Sequence, residues 1–95
     1  MNRIAPARLT LDGELLRSFA AVAETGSFTG AAAAVGRSQS AISLQMQRLE
    51  TLTGRVLFER QPRGVRLTAA GERLLGRARQ LLGLLEQTAA ELAGD

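Results

Sequence analysis

Ser38-Gln39-Ser40-Ala41-Ile42-Ser43-Leu44-Gln45-Met46-Gln47-Arg48-Leu49-Glu50 is the stretch whose reading decides the fold. Taken as a helix at about 100° per residue, it has two unlike faces. Ile42, Met46, Leu49 and Leu52 share one stripe. Gln39, Ser40, Ser43, Leu44, Gln47 and Arg48 share the other. The second face carries hydroxyls, amides and a guanidinium, groups that form directed hydrogen bonds to base edges and phosphates. An ordinary solvated face carries Glu and Lys pairs instead. The stretch reads as a recognition helix, with the other segments building, aiming and pairing it.

Composition narrows the function. The 95 residues include no cysteine and no histidine, which removes disulfides, Cys or His metal sites and His-dependent catalysis. Residues 37–79 hold nine arginines against three glutamates, whereas the full chain is only +3. Such a basic block is the footprint of a polyanion partner. All twelve basic residues are Arg and sixteen residues are Ala, a bias that a GC-rich genome also produces. Arg position therefore counts for more than Arg identity. Three aromatics, all Phe, are too few for single-strand binding by base stacking. The N-terminus is followed by no long apolar run, so neither a signal peptide nor a membrane span is expected.

Working outward, residues 1–11 read as a flexible N-terminal arm. Asp12 caps a core helix over about 13–25, whose stripe is Leu15, Leu16, Phe19, Val22 and Ala23 and whose stop is Gly26. Ser27 caps a short helix from Phe28 to Val35, with small Ala side chains where a second helix must approach. Gly36 turns the chain into the recognition helix over 38–53, capped by Ser38 and stopped by Gly54. Short helix, tight turn and longer helix make the helix-turn-helix layout. Any tight helical hairpin wants Ala and Gly at its crossing, so the layout alone is moderately specific. Arg55-Val56-Leu57-Phe58-Glu59-Arg60 is β-prone, Gln61-Pro62-Arg63-Gly64 suits a type I turn, and Val65-Arg66-Leu67 returns with Arg66 outward. This hairpin, over 57–67, reads as a wing, with Arg63 at its tip suited to a narrow minor groove. A plain solvated turn is the alternative.

Thr68 caps a last helix running to about 93, roughly 37 Å long at 1.5 Å per residue. Leu74, Ala78, Leu81, Leu85, Thr88 and Leu92 recur at coiled-coil spacing, widened by Leu75, Leu82 and Ala89. The domain covers the start of this seam, and a second chain is expected on the rest. Packing back on its own domain is the alternative. Gly71, Gly76 and Gly83 are expected to weaken the helix by about 0.8–1 kcal/mol each relative to Ala. The expected fold is mainly α: a winged helix-turn-helix of three helices plus a short β-hairpin over 12–67, then a linker and dimerisation helix over 68–95.

Several segments now resemble one family. Glu14-Leu15-Leu16-Arg17-Ser18-Phe19, Ala21-Val22-Ala23-Glu24-Thr25-Gly26-Ser27-Phe28-Thr29, Ala31-Ala32 and Gly36-Arg37-Ser38-Gln39-Ser40-Ala41-Ile42-Ser43 are similar to the N-terminal DNA-binding domain of LysR-type transcriptional regulators. So are Arg48-Leu49-Glu50, Gly54, Leu57-Phe58-Glu59-Arg60 and Leu67-Thr68-Ala69-Ala70-Gly71. The resemblance covers about residues 12–92. It implies double-stranded DNA as partner, regulation of bacterial promoters, antiparallel pairing of linker helices into a homodimer, and tetramers of the full-length protein. Sites would be interrupted palindromes read by two half-site helices. It also implies a C-terminal effector domain that binds a small inducer. This chain stops where that domain would begin, so a truncated piece is expected rather than a natural short form, and no cofactor is expected in it. A bacterial cytoplasmic, nucleoid-associated location follows from the same resemblance.

Carried over by position, Gln39, Ser40 and Ser43 match base readers, and Gln39 can pair with adenine N6 and N7. Ser27, Phe28 and Thr29 match the start of the second helix, where backbone N–H groups and a hydroxyl meet phosphate. Arg60 and Arg63 match wing contacts to the backbone and minor groove, with Arg48 and Thr68 as further phosphate candidates. Two positions depart from the pattern. Ser40 stands where the family often has Pro, and Leu44 where many members have Arg or Lys. Leu44 is expected to pack against thymine methyls, with simple solvent exposure as the alternative. Leu74, Ala78, Leu81, Leu82, Leu85 and Leu92 are the expected dimer contacts.

Two other classes of function were weighed. An all-helical module could bind a partner protein through the final seam, leaving the arginines solvated. An enzyme is excluded by the missing His and Cys, the lack of a paired carboxylate site and the lack of a Gly-rich phosphate loop. Glu50 and Glu59 read as surface groups or partners of nearby arginines.

Overall fold

A computed structural model describes residues 11–94, so all of the expected arm except Leu11 lies outside the described residues. The elements run α1 (Gly13–Thr25), α2 (Phe28–Val35), α3 (Gln39–Thr53), β1 (Phe58–Gln61), β2 (Gly64–Leu67) and α4 (Ala69–Ala93). Each helix starts on the cap expected for it. Asp12, Ser27, Ser38 and Thr68 accept hydrogen bonds from the N–H groups of Leu15, Gly30, Ala41 and Gly71 at 2.8, 3.0, 3.1 and 3.1 Å. Each such cap stabilises its helix start by about 1 kcal/mol. α1 through α3 end on Gly26, Gly36 and Gly54 in the left-handed conformation.

The core lies where α1 meets the other helices. Leu15, Leu16, Phe19 and Val22 of α1, Ala31 and Ala32 of α2, and Ile42, Met46 and Leu49 of α3 are buried together. Small side chains on α2 bring its axis close to α1 and α3, which makes the helix-turn-helix compact. α4 enters the same core through Leu75 and Ala78.

The hairpin is antiparallel, pairing Phe58 with Leu67, Glu59 with Arg66, Arg60 with Val65 and Gln61 with Gly64. Pro62 and Arg63 form the connecting loop. The strand begins at Phe58, three residues later than the start of the β-prone run. The backbone of the preceding residues is engaged elsewhere. Leu57 N–H donates to Glu50 Oε2 at 2.7 Å, Leu57 carbonyl accepts from Thr68 N–H at 2.9 Å, and Val56 carbonyl accepts from the Thr68 hydroxyl at 2.7 Å. Glu50 is thus not an arginine partner. It fastens the last turns of α3 to the entry of the wing. Glu59 does pair with an arginine, Arg66 across the strands at 3.1 Å.

Two glycines answer to close approach. Gly64 adopts φ +120°, and a Cβ there would lie 2.2 Å from the Gly26 carbonyl oxygen. That oxygen accepts from Val65 N–H at 3.0 Å, tying the wing to the α1–α2 turn. At Gly71 a Cβ would lie 2.4 Å from the Leu57 carbonyl oxygen. The expectation that Gly71 merely weakens α4 is therefore corrected: its missing side chain lets the helix start beneath the wing. Gly76 and Gly83 meet nothing within 4 Å.

The leucine seam of α4 divides. Ala78 is fully buried in the domain's own core, and Leu74 and Leu82 pack against it. Ala78 is therefore closed to a second chain in this conformation. Leu81, Leu84, Leu85 and Leu92 are exposed. No helix of the described residues is long and apolar enough to cross a membrane. Gly76→Ala should stabilise the fold by about 0.8–1 kcal/mol, because the added Cβ meets open space. Gly71→Ala should destabilise it by about 1–3 kcal/mol, as overpacking does. Paired denaturant unfolding curves check both, and equal effects would contradict the distinction.

Candidate nucleic-acid interface

The exposed face of α3 is built by the same turns that bury its opposite face. Ile42, Met46 and Leu49 point into the core, so the 3.6-residue period carries Gln39, Ser40, Ser43, Leu44 and Gln47 outward. These five residues line one shallow concave strip. Leu44 is 58% exposed, the only large apolar side chain on that strip. A second depression shares Ser43 and Gln47 with the strip, and extends it past Phe28 and Val56 to Phe58 and Arg60 of the wing. The exposed face of α3, the start of α2 and the inner face of the hairpin are thereby one continuous trough.

Three phenylalanines hold that trough in shape. The Phe58 ring lies 5.6 Å from Phe19 and 5.8 Å from Phe28, edge-on to the latter. Such tilted and edge-to-face pairs add about 0.5–1.5 kcal/mol each beyond the area they bury. Phe28 was expected at the phosphate backbone. Its ring belongs to this cluster, so only its backbone N–H faces that way. Phe28 N–H and Thr29 N–H, at the first turn of α2, have no partner among the described residues. Ser27 Oγ accepts from Gly30 N–H and keeps its own proton. These three groups form an anion-ready helix start.

The charges sort by partner. Arg37 pairs with Glu14, Arg66 with Glu59, and Arg79 lies 3.8 Å from Glu24. Arg48, Arg60 and Arg63 have no carboxylate partner within 4 Å among the described residues. Arg60 shares the inner face of β1 with Phe58, since alternate strand residues face alike. Arg63 sits in the two-residue loop at the far end. The geometry moves Thr68 out of the phosphate set. Its one proton goes to Val56 carbonyl and its oxygen caps α4, so nothing is left to donate.

Sequence reasoning missed one residue of the trough and one contact beside it. Val56 is 67% exposed beside Gln47 and Arg55, and its apolar character gave no signal of that exposure. Thr29 Oγ1 donates to Gln39 Oε1 at 3.2 Å, a side-chain contact across ten residues that no periodicity signals. Ser38 Oγ and Ser40 Oγ are 3.3 Å apart.

The family model for bacterial regulatory helix-turn-helix proteins of the lysR family matches residues 13–72. The HTH-type transcriptional regulator DgdR of Burkholderia cepacia is 48% identical over 85 residues, covering 90% of this chain and 29% of DgdR. The chain thus spans under a third of the length of that relative. Among solved structures, the CbnR_DBD–DNA complex aligns with TM-score 0.82 at 40% identity, covering 88% of this chain and 97% of that one. The complex of BenM_DBD with catB site 1 DNA aligns with TM-score 0.83 at 35% identity, covering 87% and 92%.

Proposed function

This chain belongs to the lysR family of bacterial regulatory helix-turn-helix proteins, and we propose that it binds double-stranded DNA sequence-specifically to regulate transcription, with α3 in the major groove and the hairpin at the minor groove. The carrying observation is the trough that joins the α3 strip to Arg60 of the wing. Its chemistry suits base edges: amides and hydroxyls at Gln39, Ser40, Ser43 and Gln47 for hydrogen bonds, and Leu44 for a thymine methyl. Around it stand the groups that suit phosphate: the α2 amides with the Ser27 hydroxyl, and Arg48 and Arg60, which have no carboxylate partner among the described residues. Arg63 at the tip reaches the minor groove, where negative potential is strongest.

The reading extends to pairing. One copy of so short a reader offers little specificity, and two copies on half-sites of an interrupted palindrome restore it. Leu81, Leu85 and Leu92, with Leu84 beside them, are exposed leucines among the described residues. Leu81, Leu84 and Leu85 form an apolar groove with Leu11 and Leu16 at the start of α1. A second α4 laid there buries them, and we assign the homodimer contact to this half of the helix. A longer protein carrying an inducer-binding domain would assemble such dimers into tetramers. Acting on promoters, it would work in the bacterial cytoplasm, on the nucleoid.

Genomic footprinting identifies the bound sequence; no protected site anywhere would end the proposal. On that sequence, Arg63→Ala should weaken binding and flatten the plot of log affinity against log salt by about one unit. An unchanged slope removes the tip from the interface. Leu44→Ala should lose affinity on thymine-containing sites and almost none once uracil replaces thymine; equal loss on both sites ends the methyl contact. Leu81→Asp should give monomers in analytical ultracentrifugation, and a persisting dimer would move the interface elsewhere.

A further inference from the structure

We infer that Thr29 is a positioning residue for base readout: its hydroxyl holds the Gln39 amide by the oxygen and so turns the amide nitrogen toward the DNA. The inference rests on the DNA-reading function proposed above.

Most threonine hydroxyls among the described residues send their proton to a backbone carbonyl. Thr25 donates to Ala21 carbonyl at 2.8 Å, Thr53 to Leu49 carbonyl at 3.0 Å, and Thr88 to Leu84 carbonyl at 2.8 Å. Each takes the helical carbonyl four residues back. Thr68, before the first turn of α4, takes the Val56 carbonyl instead. Thr29 is the second residue of α2, so no carbonyl of its own helix lies four residues behind it. Its proton goes to Gln39 Oε1 at 3.2 Å. Gln39 is the first residue of α3, and the tight turn through Gly36 brings the two helix starts together.

A hydroxyl has one proton. Spent on Gln39, it cannot also reach a phosphate, so the hydroxyl expected at the DNA backbone is that of Ser27 and not that of Thr29. The Gln39 side chain changes role as well. A free amide offers oxygen and nitrogen side by side and suits adenine, which presents N6–H and N7. With the oxygen held by Thr29, the outward end is the Nε2 donor pair. That end suits the base presenting two acceptors in the major groove, guanine through N7 and O6. Thr29 thereby selects among bases without touching them.

The test is quantitative binding of this chain to sites carrying all four base pairs at every position, for Thr29→Val, Thr29→Ser, Gln39→Ala and the Thr29→Val/Gln39→Ala pair. Valine keeps the shape and removes the hydroxyl. At one position the unsubstituted chain should prefer a G·C pair to an A·T pair. Thr29→Val should relax its discrimination against adenine there by about 3- to 10-fold, as loss of one modest hydrogen bond does. Thr29→Ser should restore it, and Thr29→Val should add nothing once Gln39 is Ala. Unchanged discrimination in Thr29→Val, or a preference for an A·T pair there in the unsubstituted chain, overturns the inference. So does a uniform loss across all sites with a flatter salt slope, which marks a phosphate contact. An unsubstituted chain without any sequence preference overturns the DNA-reading function itself, and the positioning role falls with it.

Discussion

The wedge of Phe58 between Phe19 and Phe28 is the contact on which the geometry of the interface depends. A two-stranded hairpin is marginal by itself in water. Four residues per strand give this one little independent stability. It stands in a fixed place because its first side chain, half-buried, packs against Phe19 of α1 and Phe28 of α2. Three hydrogen bonds then set its direction: Leu57 N–H to the Glu50 carboxylate, Val65 N–H to the Gly26 carbonyl, and the Thr68 hydroxyl to the Val56 carbonyl. These run from α3, from the α1–α2 turn and from the start of α4. The wing is therefore referenced to every helix that frames the reading face. Its glycines are part of the same constraint, because Gly64 and Gly71 each let two backbones meet where a methyl group would collide.

Charge and specificity are separated in space. The strip on α3 is uncharged from Gln39 through Gln47, so in the proposed DNA-binding role discrimination would fall to hydrogen bonds and one apolar contact. The arginines surround it. Three of them, Arg37, Arg66 and Arg79, have carboxylate partners and contribute less to the field than a count of charges suggests. Those without one include Arg60 and Arg63, placed on the element whose position the Phe58 wedge fixes. A net charge of only +3 is enough under these conditions, because location near the groove decides the electrostatic attraction.

Much of the fold is legible in the sequence because the signals are local. Asp12, Ser27, Ser38 and Thr68 cap residues three positions on, and spacing of that kind is visible in a string of letters. The buried stripe of α3 follows from helical period for the same reason. What escaped were contacts between segments. Glu50 looked like a surface acid because its partner is a backbone amide seven residues away, beyond a helix end. Gly71 looked like a poor helix residue because nothing in its neighbours announces the Leu57 carbonyl above it. The seam from Leu74 to Leu92 looked continuous, since periodicity records which face is apolar and not what covers it. Ala78 and Leu81 satisfy the same repeat, yet the first is in the core and the second is exposed. The exposed face of α3 was legible in the helical period, and the hydrogen bond between Thr29 and Gln39 was not.

The central claim is that one rigid unit addresses two grooves at once, α3 in the major groove and the hairpin in the minor. Dimethyl sulfate probing of the bound site tests this most directly, because guanine N7 lies in the major groove and adenine N3 in the minor. The account predicts guanine N7 protection within each half-site and adenine N3 protection in the flanking segment. Protection confined to one groove would contradict it.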